Sequence, residues 1–320
     1  MHQGQPRAGV SLVYGVREGQ IGLFLRCDER DRETVIEPII AGYPEATVTL
    51  VDEAQDIRRA LGVSSPREAG EILNVGVCES LFTEIELVPE LFPILRHAQF
   101  EDMLNHNFAD PVSGLLRAIL PEEGIECRIE ITVRPASKHR AHQARRAVML
   151  LEREFFRRHH RLASYFAKRI TRPRRWQLAW LLGWVAKCSP HPTHTNLETS
   201  TSRLHEREED LQAAADKLGG HLFETRIQLI VETEPSSKSQ ALDRLRRMAG
   251  ALGAFTRSRL ATFESTVEQT FLSVPSSPDK LPNKGRSPFL LSHEELATLW
   301  HPPTSTNDAG VDRMIHVPMC

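Results

Sequence analysis

Between Ile125 and Arg134 apolar and polar side chains alternate almost without a break. Ile125, Cys127, Ile129, Ile131 and Val133 fall on one face, and Glu126, Arg128, Glu130 and Thr132 on the other. A repeat of two belongs to a strand with one face on a core and the other toward water. A similar run follows a hundred residues later: Arg128-Ile129-Glu130-Ile131-Thr132-Val133 is echoed by Arg226-Ile227-Gln228-Leu229-Ile230-Val231. These two runs are read as equivalent strands of one sheet with a helical block inserted between them. The expected class is therefore α+β, with a mostly antiparallel sheet, packed helices and a basic helical insertion.

The rest of the chain fits around that frame. Val10–Val16 and Ile21–Cys27 are apolar runs split by a short segment containing Gly19, which predicts a hairpin. Asp28–Ala41 has helical character, with Pro38 expected to kink it or confine it to its start. Thr47–Val51 and Leu81–Val88 read as strands. Asp110-Pro111 marks a helix start, because Asp caps free amides and Pro at the first helical position loses no hydrogen bond. Ser237 with Gln240 and Ser292 with Glu295 have capping-box spacing. Leu260–Val267 is a further strand, and Phe271–Ser287, with three prolines, is a loop. The segments are 1–137 (N-terminal α+β), 138–200 (basic helical insertion), 201–270 (α/β, completing the sheet) and 271–320 (Pro-rich loop and short helix).

Charge is distributed very unevenly. The chain's formal net charge is -2. Residues 138–175 nevertheless hold 13 Lys and Arg against Glu152 and Glu154, a local balance of +11, which leaves -13 elsewhere. Such segregation bears on partners, not on fold. Apolar positions Val148, Leu151, Phe155, Leu162, Phe166 and Ile170 recur through this block at helical spacing, and Trp176, Ala179, Trp180 and Trp184 open a second helix. The candidate binding residues are Arg145, Arg146, Arg157, Arg158, Arg161, Lys168, Arg169, Arg172, Arg174, Arg175, Trp176 and Trp180. Three readings of the block stay open. It contacts nucleic-acid phosphates, it lies on an anionic membrane surface, or it is a solvated helix face over a packed stripe.

Catalytic motifs are lacking. No G-x-x-x-x-G-K-[ST] phosphate cradle, G-x-S-x-G elbow or G-x-G-x-x-G turn occurs in the sequence. The five cysteines form no C-x-x-C pair, which excludes a thiolate zinc site of that spacing and suits a reducing compartment. His139/His142 and His191/His194 lack a third ligand at suitable spacing and read as surface histidines. Glu84/Glu86 and Glu122/Glu123 read as solvated charge, not as acid–base pairs. Neither a catalytic residue, a metal nor a cofactor is expected. The first ten residues have no apolar stretch of the secretory kind, and no apolar run nears the roughly 18 residues needed to cross a bilayer. A cytoplasmic setting, possible also at the periphery of the inner membrane, is expected.

Two stretches carry a family resemblance. The first is Pro93-Ile94-Leu95-Arg96-His97-Ala98-Gln99-Phe100-Glu101-Asp102, followed by Asp110-Pro111-Val112-Ser113-Gly114-Leu115-Leu116. The second is Phe289-Leu290-Leu291-Ser292-His293-Glu294-Glu295-Leu296-Ala297-Thr298-Leu299-Trp300-His301-Pro302-Pro303. Their order and spacing resemble the N-terminal, non-motor region of TraG/HerA-like conjugative-transfer ATPases of type IV secretion. In that family the region leads into a P-loop motor, and no Walker motif is found here, so no catalytic residue carries over. The resemblance implies a non-catalytic docking or regulatory domain of a DNA-transfer machine. Its implied partners are DNA or an anionic membrane surface through the basic insertion, and a P-loop ATPase domain or secretion-complex proteins. The alternatives are an independent nucleic-acid-binding protein using the Arg-rich helix 138–175, or a peripheral membrane-binding module.

Overall fold

A computed structural model describes residues 9–17, 20–44, 47–50, 79–102, 107–122, 124–157, 209–233, 237–257, 260–265, 270–273, 288–303 and 316–319. The chain is α+β, and its main sheet is mostly antiparallel. In chain order the elements are β1 (Val10–Arg17), β2 (Gln20–Arg26), α1 (Arg32–Gly42), β3 (Thr47–Leu50), β4 (Glu79–Val88), the short β5 (Glu101–Asp102) and β6 (Asn107–Phe108), α2 (Pro111–Ala118) and β7 (Ile125–Pro135). They continue with α3 (Lys138–Arg157), helical backbone over 209–219 (α4), β8 (Leu222–Thr233), α5 (Lys238–Ala251), β9 (Thr262–Ser265), β10 (Thr270–Ser273), β11 (Phe289–Ser292), α6 (His293–Leu299) and β12 (His316–Met319).

β8 is the central strand. It pairs antiparallel with β7 along its length and with β4 on its other side, where β11 continues the edge left by β4. β4 and β7 are thus parallel to each other with β8 between them, and α2 makes the crossover. β9 pairs with the far edge of β4, giving the order β9-β4-β8-β7. That is the split βαβ, ferredoxin-like arrangement. The β1–β2 hairpin extends it beyond β7, and β12 lies parallel to both β2 and β3. Strands from segments 1–137, 201–270 and 271–320 therefore enter one sheet.

The two echoing runs are neighbours, with Ile129 opposite Leu229 and Ile131 opposite Ile227. Both lie on the apolar face, which α2, α4, α5 and the start of α3 cover; Ile129, Ile131, Ile227, Leu229, Val112, Leu115, Ala214 and Leu245 share one buried cluster. Gly124 takes φ +73 in the turn that leads into β7, a conformation L side chains avoid.

Some local expectations change in the folded chain. The Asp110 carboxylate accepts from the Val112 amide at 2.9 Å with Pro111 at the first helical position, and Ser292 with Glu295 makes both arms of its capping box. Ser237 makes no such bond: its backbone sits at φ -105, ψ 20, away from the extended geometry a capping hydroxyl needs. Phe271–Ser273, read as the start of a loop, continue a strand from Thr270 and pair with Leu81–Glu79 of β4. Pro38 lies inside α1, whose helix runs past it. Nor are the carboxylate pairs plain solvated charge. Glu86 is buried on the sheet, Glu84 accepts from Gln228, and Glu122 meets Arg244 at 2.7 Å. The helical block expected beyond Arg157, with the second helix expected over Trp176–Lys187, lies outside the described residues.

Candidate functional site at the root of the basic insertion

The insertion leaves and rejoins the sheet at nearly one point. Pro135 pairs with Phe223, and the Ala136 amide donates to the Leu222 carbonyl at 2.9 Å. α3 begins at once, with the Ser137 hydroxyl accepting from the Arg140 amide at 3.2 Å. Its apolar stripe, Ala144, Ala147, Val148 and Leu151, is buried, as are Leu211, Ala214 and Leu218 of the returning α4. The opposite face of α3 presents Lys138, His139, His142, Arg146 and Met149 to solvent.

Arg145 has an internal task. Its Nε donates to the Leu218 carbonyl at 2.7 Å, capping the end of α4 where backbone carbonyls lack helical partners. Arg146 is exposed on α3, and Arg157 is its last residue. Arg158, Arg161, Lys168, Arg169, Arg172, Arg174, Arg175, Trp176 and Trp180 lie outside the described residues. His139 faces Gln143 at 3.1 Å, and no group of three or more His, Cys, Asp or Glu among the described residues could hold a metal ion. No helix among them is long and apolar enough to cross a membrane.

Sequence reasoning missed a buried polar knot beside this root. Lys217, on α4, is fully buried, and its ammonium lies 3.2 Å from Glu295 Oε1, also fully buried. It donates to the Phe92 carbonyl at 3.0 Å. Glu295 accepts in addition from the Ile94 amide at 2.8 Å and the Ser292 amide at 2.7 Å. Burial pushes the Lys217 ammonium below the usual lysine range, and Glu295 pulls the other way. Next to this pair, Glu90 accepts from Arg140 at 2.9 Å and from the Leu290 amide at 3.1 Å, while Arg140 also donates to the Pro288 carbonyl. Two carboxylates thus occupy the outward amides of β11, an edge that would otherwise invite another strand. Lys217 falls three residues after Ala214 and one before Leu218, on the buried stripe of α4; that spacing was its one available signal.

The knot extends along the strap formed by residues 288–303. Tyr14, fully buried, accepts from the His301 amide at 3.1 Å, and its hydroxyl lies 3.3 Å from the Leu299 carbonyl and 3.2 Å from that of His301. Burial holds the Tyr14 hydroxyl far above the usual phenol range, against the pull of the His301 backbone. His301 places Nδ1 3.0 Å from the Ala297 carbonyl and Nε2 3.2 Å from Asp110 Oδ1. Arg96 pairs with Glu294 at 2.7 Å, and the His97 amide donates to Thr298 Oγ1 at 2.9 Å. Residues from 93–102, 110–116 and 289–303, far apart in sequence, meet here. These contacts tie chain segments together, and the exposed His97 ring packs edge-on against His301.

The chain matches no protein-family model, no curated protein and no solved structure.

Proposed function

We propose that this chain is a non-catalytic docking domain that engages nucleic acid through its basic insertion, in the manner its resemblance to the non-motor region of conjugative ATPases implies. The observation that carries the reading is the seating of the insertion. A segment with a local balance of +11 starts on a helix whose apolar stripe is buried in the core and whose other face turns His142 and Arg146 to solvent. A rooted cationic helix can hold charge at a fixed place against a polyanion, and release of condensed counterions supplies the affinity. The meeting of residues 93–102, 110–116 and 289–303 in one knot supports the same reading, because the family-like segments then act as scaffold for the insertion.

The test is binding of labelled duplex DNA of unrelated sequences across a salt series. Affinity should be insensitive to sequence and fall steeply with salt. Replacing Arg174 and Arg175 with Gln should flatten the slope of log affinity against log salt by up to about two. Absence of binding at about 50 mM salt, or binding indifferent to salt, overturns the proposal. Binding to anionic vesicles with none to DNA would assign the same charge to a membrane surface instead.

A further inference from the structure

We propose that the root of the basic insertion and the strap of residues 288–303 form one latch, in which Lys217 with Glu295 and Arg140 with Glu90 seat both parts together or neither. The inference rests on the reading of the insertion as a binding element and adds its regulation: what loads the insertion also sets the strap.

The argument begins with the desolvated pair. Lys217 and Glu295 are both fully buried. A charge left in such a place without its partner is far more costly than the pair itself, so an intermediate with α4 displaced and the strap still seated is strongly disfavoured. The second pair works in parallel. Arg140 sits in the first turn of α3 and reaches both Glu90 and the strap's own Pro288 carbonyl. Arg145 then bolts α3 to the end of α4 at Leu218, one residue from Lys217, so both cations belong to one rigid root.

On the receiving side the same two carboxylates hold backbone. Glu295 takes the amides of Ile94 and Ser292, and Glu90 takes that of Leu290. Glu90 and Arg96 are the other charged groups facing Lys217, and Arg96 is itself tied to the strap through Glu294. The two ionic links Lys217–Glu295 and Arg140–Glu90 therefore end on the strap or on residues 90–96 against it, while the Ser137 amide at the start of α3 is held separately by Glu224 of β8. Two packed parts that share a buried ion pair change state as a unit, which is how a local load becomes a switch.

Amide exchange followed by NMR on the full chain tests this, with the amides of Ile94, Leu290 and Ser292 as reporters. In Lys217→Met all three should exchange at least about ten-fold faster, while amides between β7 and β8 keep their protection. Leu290 is decisive, since its carboxylate partner Glu90 keeps its bond from Arg140 in that variant. Acceleration confined to Ile94 and Ser292 would reduce Lys217 to a local contact and overturn the latch. If Lys217→Met fails to fold, Arg140→Gln makes the converse test: Ile94 and Ser292 must accelerate although Glu295 keeps its lysine.

A second arm adds duplex DNA. Binding should change exchange at the three reporters in the wild type and leave them unchanged in the Lys217→Met/Glu295→Met double variant, which should bind DNA as well as the wild type does. DNA bound without any change at the wild-type reporters overturns the latch and leaves the nucleic-acid reading standing. If DNA does not bind, that reading falls, and the variants in free protein decide the latch alone.

Discussion

The outer face of the sheet and the root of the insertion both carry rows of opposite charge, at similar spacing. On the sheet, Arg26 lies 3.5 Å from Glu130, Arg128 3.3 Å from Glu232 and Arg226 3.8 Å from Glu84. At the root, Lys217 lies 3.2 Å from Glu295. What differs is the medium. The three arginine side chains are 43%, 43% and 36% exposed, whereas neither Lys217 nor Glu295 is exposed at all. Water reaches the three arginines and offers them alternative partners even where the carboxylate, as in Glu130 and Glu84, is mostly covered, so such pairs add less to stability than a fully buried one. The second pair lies out of reach of water, and apart from backbone groups each charge has the other as its partner. Distance alone does not rank ion pairs.

The largest expected effect separates the two regions. Lys217→Met should cost about 3–5 kcal/mol in denaturant unfolding, because Glu295 is left buried without its cation. The Lys217→Met/Glu295→Met double variant should cost less than the sum of the two singles, because no lone charge remains, although the Ile94 and Ser292 amides lose their acceptor. A double variant as unstable as the sum of the two singles would show that volume, not charge, is being measured. Ile129→Ala, in the apolar cluster both regions border, should cost about 2–5 kcal/mol and provides the yardstick for burial without charge.

Tyr14→Phe should cost about 1–3 kcal/mol, since the His301 amide and two strap carbonyls lose a buried partner. A near-neutral result by thermal unfolding would place water, not Tyr14, at the centre of that end of the knot. On the outer face, Arg128→Gln should change stability by less than about 1 kcal/mol, and the change should shrink further in high salt. A loss as large as that of Lys217→Met would erase the contrast between the two regions.

The smallest effect reverses sign. Glu126 is held above the usual carboxylate range, by burial first and then by Glu232, with Arg128 acting against both. A carboxyl raised in the folded state costs stability at neutral pH, and the cost fades as pH falls through its folded value and vanishes below the unfolded carboxylate range. Glu126→Gln should therefore be slightly stabilising at pH 7, and the difference should close toward about pH 4. An equal difference at both values would mean packing, not ionisation.

Features set by near neighbours were legible in the sequence. The alternation of Ile125–Arg134 gave a strand of the right phase, and Asp110-Pro111 and Ser292/Glu295 gave helix starts whose bonds form as expected. What depends on distant partners was not legible. Nothing in Leu81–Val88 says that Glu86 will be buried, because its surroundings come from strands more than a hundred residues away. Ser237 has the same local spacing as Ser292, yet its backbone geometry denies it the cap. Lys217 reads as one more cation of a polar helix until Glu295, Phe92 and Ile94 close around it. The candidate binding residues show the same limit in another form: their number was countable, and only Arg145 and Arg146 are placed with their side chains, one of them with an internal partner.

The hydrogen bond from Ala136 to Leu222 fixes how the insertion relates to the body in thermodynamic bookkeeping. Its two ends stand side by side, so closing the excursion costs chain entropy that grows only with the logarithm of its length, about 0.6 kcal/mol for each doubling. With the buried stripes of α3 and α4 kept in place, closure adds little cost for residues inserted between those two helices. The length of the excursion is free to be set by the size of whatever it has to span, and it can lengthen or shorten without retuning the sheet from which it departs.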